Sequence, residues 1–177
     1  DFISKYGVDG FRVDTAKHVE ASVWKKLWEQ AILAFNKYKK EHPEKKFDDS
    51  DFYMVGEVYG YAAEAGQVYD YGDTKVNFFE NGFNSLINFG FKYDATKPMY
   101  EMHEKYDSIL SSSLKGEYIL YYLSSHDDGS PFDKDRVKNY ESANLLLLSQ
   151  GGAQIYYGDE SARSLTVAAQ GDAVLRS

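Results

Sequence analysis

The chain has 177 residues, 43% of them hydrophobic and 27% charged, which is enough for a globular domain with a real core. A formal net charge of −8 argues against nucleic acid, because phosphate binding needs a basic surface. There is no cysteine for a disulfide framework, and no apolar run reaches the roughly 18 residues of a membrane helix.

The opening residues, Asp1 to Gly7, read as the last turn of a helix ending at a glycine C-cap. Val8 to Asp14 then reads as a short strand ending in a carboxylate. From about 22 to 41 the pattern turns helical: Trp24, Leu27, Trp28, Ala31, Ile32 and Phe35 recur at three- and four-residue spacing, opposite a lysine-rich face. His42-Pro43 ends it. Residues 52–58 make a second strand, again finishing at an acid, Glu57. A Tyr/Gly-rich loop follows, then an aromatic, asparagine-rich stretch over 75–93 that predicts a short strand near 76–79 and a helix or irregular segment after it. Residues 98–114 look helical. A third strand over 117–123 runs into Ser124-Ser125-His126-Asp127-Asp128. A helix over 134–150 and a strand over 153–157 lead to Gly158-Asp159-Glu160.

Strands alternating with helices predict parallel pairing with helical crossovers, in a doubly wound sheet or a (β/α)8 barrel. In both, functional groups gather at the C-terminal ends of strands. Four of the strands finish there in acids. Carboxylates held close cannot all ionise freely, so one stays protonated while another stays charged, the arrangement glycoside hydrolysis needs. Clustered acids also suit magnesium or calcium, and spacing alone does not separate the two readings. Singly, each residue has a plainer explanation. Asp14 suits a helix N-cap, Glu57 a solvated strand end, His126 a hydrogen-bonded packing position and His18 the surface. Tyr59 and Tyr61 could stack on sugar rings, although packing is the more economical role for them.

Taken in order, the segments resemble a known family. Gly10-Phe11-Arg12-Val13-Asp14-Thr15-Ala16-Lys17-His18 resembles the fourth-strand motif of the α-amylase family of glycoside hydrolases. Gly56-Glu57-Val58 is similar to its fifth-strand motif, Ser125-His126-Asp127 to its seventh, and Ile155 to Glu160 to its eighth-strand end. The wording around Asp14 and over 166–172 is also similar to the periplasmic bacterial branch, which favours a periplasmic or extracellular location. The resemblance implies an α/β fold: the C-terminal part, about strands four to eight, of a (β/α)8 barrel. Residues 1–177 would lack strands one to three and the small inserted domain. A whole barrel takes at least about 200–250 residues, so the chain reads as an internal piece, expected to be inactive and poorly folded alone.

The resemblance also implies roles. Asp14 would be the nucleophile, Glu57 the general acid and base, and Asp127 the residue favouring an oxocarbenium-like transition state. Arg12, two residues before Asp14 on one strand face, would keep Asp14 ionised. His126, Lys17 and His18 would contact sugar. The backbone carbonyl of His18 is a possible calcium ligand, with the other ligands outside this chain. The seventh-strand motif usually has Asn where Ser125 stands, which puts specificity rather than chemistry in doubt. The substrate implied is an α-1,4-glucan such as starch or maltodextrin. A transglycosylase, an α-glucosidase and a non-catalytic glucan-binding relative remain alternatives. An unrelated metal site is disfavoured by the cation of Arg12 beside the acids.

Overall fold

A computed structural model of the chain describes residues 1–165, so the stretch 166–172 singled out above lies outside the described residues. The chain divides into two compact units, Asp1–Tyr59 with Gln67–Leu86, and Gly60–Gly66 with the remainder.

In the first unit, helix α1 (Phe2–Tyr6) stops at Gly7, whose φ of 69° is left-handed and whose N–H donates to the Ile3 carbonyl. Strand β1 (Gly10–Val13) follows, then the long helix α2 (Ala21–Glu41) and strand β2 (Tyr53–Gly56). β2 lies parallel to β1, with Gly10 opposite Tyr53 and Val13 opposite Gly56. The buried residues of α2 are Ala31, Phe35 and Tyr38. Leu27, expected on that stripe, is 37% exposed. The inward face is carried instead by the 24–28–31–35–38 spacing, which tracks the 3.6-residue period. Phe52 joins the helix to the sheet, with its ring edge-on to both Phe11 and Phe35.

An antiparallel hairpin joins β3 (Val68–Asp70), an unforeseen strand within the Tyr/Gly-rich loop, to β4 (Lys75–Asn77) at the start of the next stretch. The strand expected near 76–79 is the second arm of this hairpin. Strand β5 (Ser85–Asn88) also lies where the sequence suggested a helix or irregular segment. All four of its residues are buried, so it shows no alternation of polar and apolar side chains. It pairs parallel with β2, giving the order β1-β2-β5.

In the second unit the strand order is β5-β6-β7, with β6 at Tyr118–Tyr121 running parallel to β7 at Gly152–Ala153. Between them in sequence come helices α3 (Phe91–Asp94), α4 (Met99–Ser111) and α5 (Asn139–Leu147). The core is aromatic: Phe91 stacks on Tyr121 at 4.3 Å and Tyr106 meets the same ring edge-on. Tyr61 is fully buried and donates to the Gly66 carbonyl, so packing is its role. The helix expected over 134–150 starts later because the Asp133 carboxylate accepts from the N–H groups of Val137 and Lys138, and Arg136 has a φ of 57°. The last strand is shorter than expected: the N–H of Tyr156 turns aside to the carboxylate of Asp159.

Candidate active site

Register decides which side chains meet. Val13 and Gly56 are paired at the last rung of β1 and β2, so the residues after them, Asp14 and Glu57, leave the sheet side by side. The ladder continues past the strands: the N–H of Glu57 donates to the Val13 carbonyl, and that of Ala16 to the Glu57 carbonyl, each at 2.9 Å. Gly56 is required by closeness. A Cβ there would lie 2.8 Å from the ring of Phe83. A larger residue would displace the strand end that carries Glu57.

Arg12, pointing the same way as Asp14, forms ion pairs with both acids. Nη1 meets Asp14, and Nη2 lies 3.0 Å from Glu57 Oε2. That same oxygen accepts the N–H of Thr15 at 3.2 Å. Thr15 adopts φ 48° and ψ 36°, a left-handed conformation uncommon outside glycine and asparagine, and this turn directs its N–H toward the carboxylate.

The two acids have different environments. The Glu57 side chain is 11% exposed, whereas that of Asp14 is 66% exposed. Burial pushes the Glu57 carboxyl above its ordinary value, and a hydrogen bond shared with Asp14 adds to this. The Thr15 N–H and the Arg12 charge pull the other way without cancelling it. A shielded carboxyl pushed upward beside an exposed one is the kind of contrast that acid–base and nucleophilic chemistry uses.

The other expected residues fall into two places. Lys17 and His18 lie in the 3₁₀ turn Ala16–His18, directly after Thr15. Lys17 Nζ donates to the Tyr59 carbonyl at 2.9 Å and to the Tyr69 hydroxyl, and lies over the rings of both tyrosines. The Tyr71 hydroxyl donates to the Lys17 carbonyl at 2.8 Å. Thus the hairpin, of which the sequence suggested only the second arm, clasps the turn beside the acids. Tyr59 itself is 63% exposed. His126 and Asp127 belong to the second unit. Asp127 is not at a strand terminus, since β6 stops at Tyr121. It stands exposed on a loop, its N–H directed to the Ser125 hydroxyl at 3.3 Å. Asp159, read as a fourth strand-end acid, is occupied structurally: its carboxylate accepts from Ser124 Oγ and pairs with Arg136.

Calcium takes six to eight oxygens. Among the described residues no group of three or more His, Asp or Glu could hold a metal. The single carbonyl of His18 does not make such a site, and no step below passes through calcium.

Parallel strands joined by helices, with two carboxylates of unlike environment at adjacent strand ends, define an α/β protein. The profile of the alpha amylase catalytic domain matches residues 1–169, and the chain belongs to the alpha-amylase family. It is 38% identical over 165 residues to the periplasmic alpha-amylase of Escherichia coli, covering 92% of this chain and 22% of that protein. It is 29% identical over 162 residues to the alpha-amylase SusG of Bacteroides thetaiotaomicron, covering 87% and 22% respectively. The chain therefore spans about a fifth of the length of these curated relatives. Among solved structures, AmyP in complex with maltose shares the fold with a TM-score of 0.59 at 14% identity, over 99% of this chain and 40% of that one. An Anoxybacillus alpha-amylase does so with 0.56 at 20% identity, over 92% and 34%. The fold is accordingly α/β, part of the barrel the resemblance implied.

Proposed function

We propose that this chain is the strand-four-to-eight part of the catalytic barrel of a retaining glycoside hydrolase acting on α-1,4-glucans. In this reading residues 1–177 form one incomplete domain, and the remaining strands come from segments outside this chain. The observation that supports it best is the single guanidinium of Arg12 bridging Asp14 and Glu57, with Glu57 shielded and Asp14 exposed. Inverting enzymes hold their acids about 6.5–9.5 Å apart to admit a water. Two carboxyls gripped by one guanidinium fit the closer spacing of the retaining route.

Asp14 attacks the anomeric carbon as Glu57 gives its proton to the departing glycosidic oxygen. A glycosyl ester on Asp14 results. Glu57, now ionised, takes a proton from water, which attacks the same carbon and releases Asp14. The Arg12 cation pairs with the Asp14 carboxylate before attack and again when the glycosyl ester is released. Asp127 is assigned to the sugar hydroxyls and the oxocarbenium-like transition state, and His126, Lys17 and His18 to substrate contacts. His18 would serve calcium only with oxygens supplied from outside this chain. The maltose and maltotriose of the AmyP complexes favour a maltodextrin-type substrate. The periplasmic relative favours a place outside the cytoplasm.

The test is release of reducing sugar from soluble starch by the full-length protein, beside its Asp14→Asn variant. Activity that vanishes in the variant supports the reading. A variant as active as the parent excludes Asp14 as nucleophile.

A further inference from the structure

The loop that carries Asp127 is tied down on both sides of it. Its neck is closed by the N–H of Phe132 donating to the Leu123 carbonyl at 2.9 Å. Ser124 is bound to Asp159 on one flank. On the other flank Asp128 Oδ1 accepts from Lys92 Nζ at 2.5 Å and from the N–H of Ser130 at 2.9 Å. Lys92 also donates to the Ser130 carbonyl at 3.1 Å. The side chains of Lys92 and Asp128 are 8% and 7% exposed.

Burying such a pair is costly, and apolar replacements of similar volume are often neutral or stabilising. The cost is raised here because Asp128 Oδ2 is buried with no hydrogen-bond partner among the described residues. A buried pair of this kind is therefore weak evidence of a stabilising role. What it does provide is a fixed point, one residue after Asp127, on a loop that no strand holds. Lys92 belongs to α3, just beyond β5, so the pair ties that loop to a packed element: its neighbour Phe91 is fully buried against Tyr121.

We propose that Lys92 and Asp128 are positioning residues that set the place of Asp127 for the transition state. This rests on the role of Asp127 given above. Misplacing a group that acts in the transition state by about 1 Å costs on the order of 100-fold. Because binding of the ground state is shared with other contacts, the loss falls on kcat more than on KM.

The experiment compares the full-length protein with Asp127→Asn, Lys92→Met, and the double variant Lys92→Met/Asp128→Leu, on soluble starch. The double variant removes the pin without leaving a buried lone charge. It is expected to melt at or above the parental temperature, to lose about 10–100-fold in kcat, and to hold KM within about threefold. Parental kcat in a folded double variant, with Asp127→Asn inactive, overturns the positioning role alone. Full activity in Asp127→Asn removes the role of Asp127 and this proposal with it. If the double variant does not fold, kcat of Lys92→Met, normalised to its folded fraction by near-ultraviolet dichroism, decides the matter by the same criterion.

Discussion

Arg12 joins Asp14 and Glu57 through different nitrogens of one guanidinium, and the bond to Glu57 Oε2 measures 3.0 Å. A planar fork can do this and a point charge cannot. Arg12→Lys is therefore expected to lower kcat/KM on starch by about 10–100-fold despite the retained charge. Arg12 also pulls the Glu57 carboxyl down, so in Arg12→Met the alkaline limb of the kcat/KM profile moves to higher pH. A limb that stays in place would separate Arg12 from the ionisation of Glu57.

Glu57→Gln is expected to cut turnover by roughly 10²–10⁴-fold, as loss of a general acid does. The same substitution has a signed effect on stability. The folded carboxyl sits above its ordinary value of 4.5, so between that value and the folded one the native state holds more protons than the unfolded state. Stability then falls as pH rises through this window, and the loss persists above it. Glu57→Gln should raise Tm more at pH 7 than at pH 4, read by calorimetry. An equal shift at both would remove the link to ionisation.

Asp94 behaves in the opposite sense. Burial pushes its carboxyl up, but hydrogen bonds from Lys105, Lys97 and Tyr106 outweigh this and leave it below 3.8. Its contribution is present above that value and disappears as pH falls through the lowered one. Asp94→Asn should lose stability at pH 6 and become indistinguishable from the parent at the acid end of a denaturant series. A constant difference across pH would contradict this.

Tyr71→Phe removes only the hydroxyl that binds the Lys17 carbonyl. One hydrogen bond of this kind contributes about 0.5–1.5 kcal/mol. With Lys17 as a substrate contact, KM for maltodextrin should rise while kcat holds. A fall in kcat at constant KM would assign the hairpin a different task.

Gly7→Ala meets two obstacles. Its φ is 69°, and the added Cβ would lie 2.2 Å from the Tyr38 ring. The backbone term alone is about 1–2 kcal/mol, and urea unfolding should show more than this. Combining Gly7→Ala with Tyr38→Ala should recover the steric part and leave the backbone part.

What the sequence disclosed, and what it hid, follows from how each signal is made. α2 was legible because twenty-one residues offer several turns of one period, although the inward stripe passes through Trp24 and Trp28 rather than Leu27 and extends to Tyr38. β1 and β2 were legible because each runs into an acid flanked by recognisable neighbours. β5 was not, since Ser85 to Asn88 is too short and too uniformly buried to alternate. The hairpin β3–β4 is held by tyrosines and a turn at Gly72 rather than by an apolar stripe. The acids Asp14 and Glu57 were placed correctly at strand ends. Asp127 and Asp159 were read the same way, but one stands on a tethered loop and the other serves as its tether. Chain order does not distinguish a carboxylate facing solvent from one already bonded to a serine and an arginine.

The left-handed turn at Thr15 has one more consequence. Its contact with Glu57 is made by the main chain, so exchanging the side chain leaves the donor in place. Glycine would even ease the torsion. Proline alone abolishes it, by deleting the N–H and refusing the angle. In a saturation library, position 15 should thus tolerate nearly every residue and reject one, a mutational signature opposite to that of Arg12 three residues earlier.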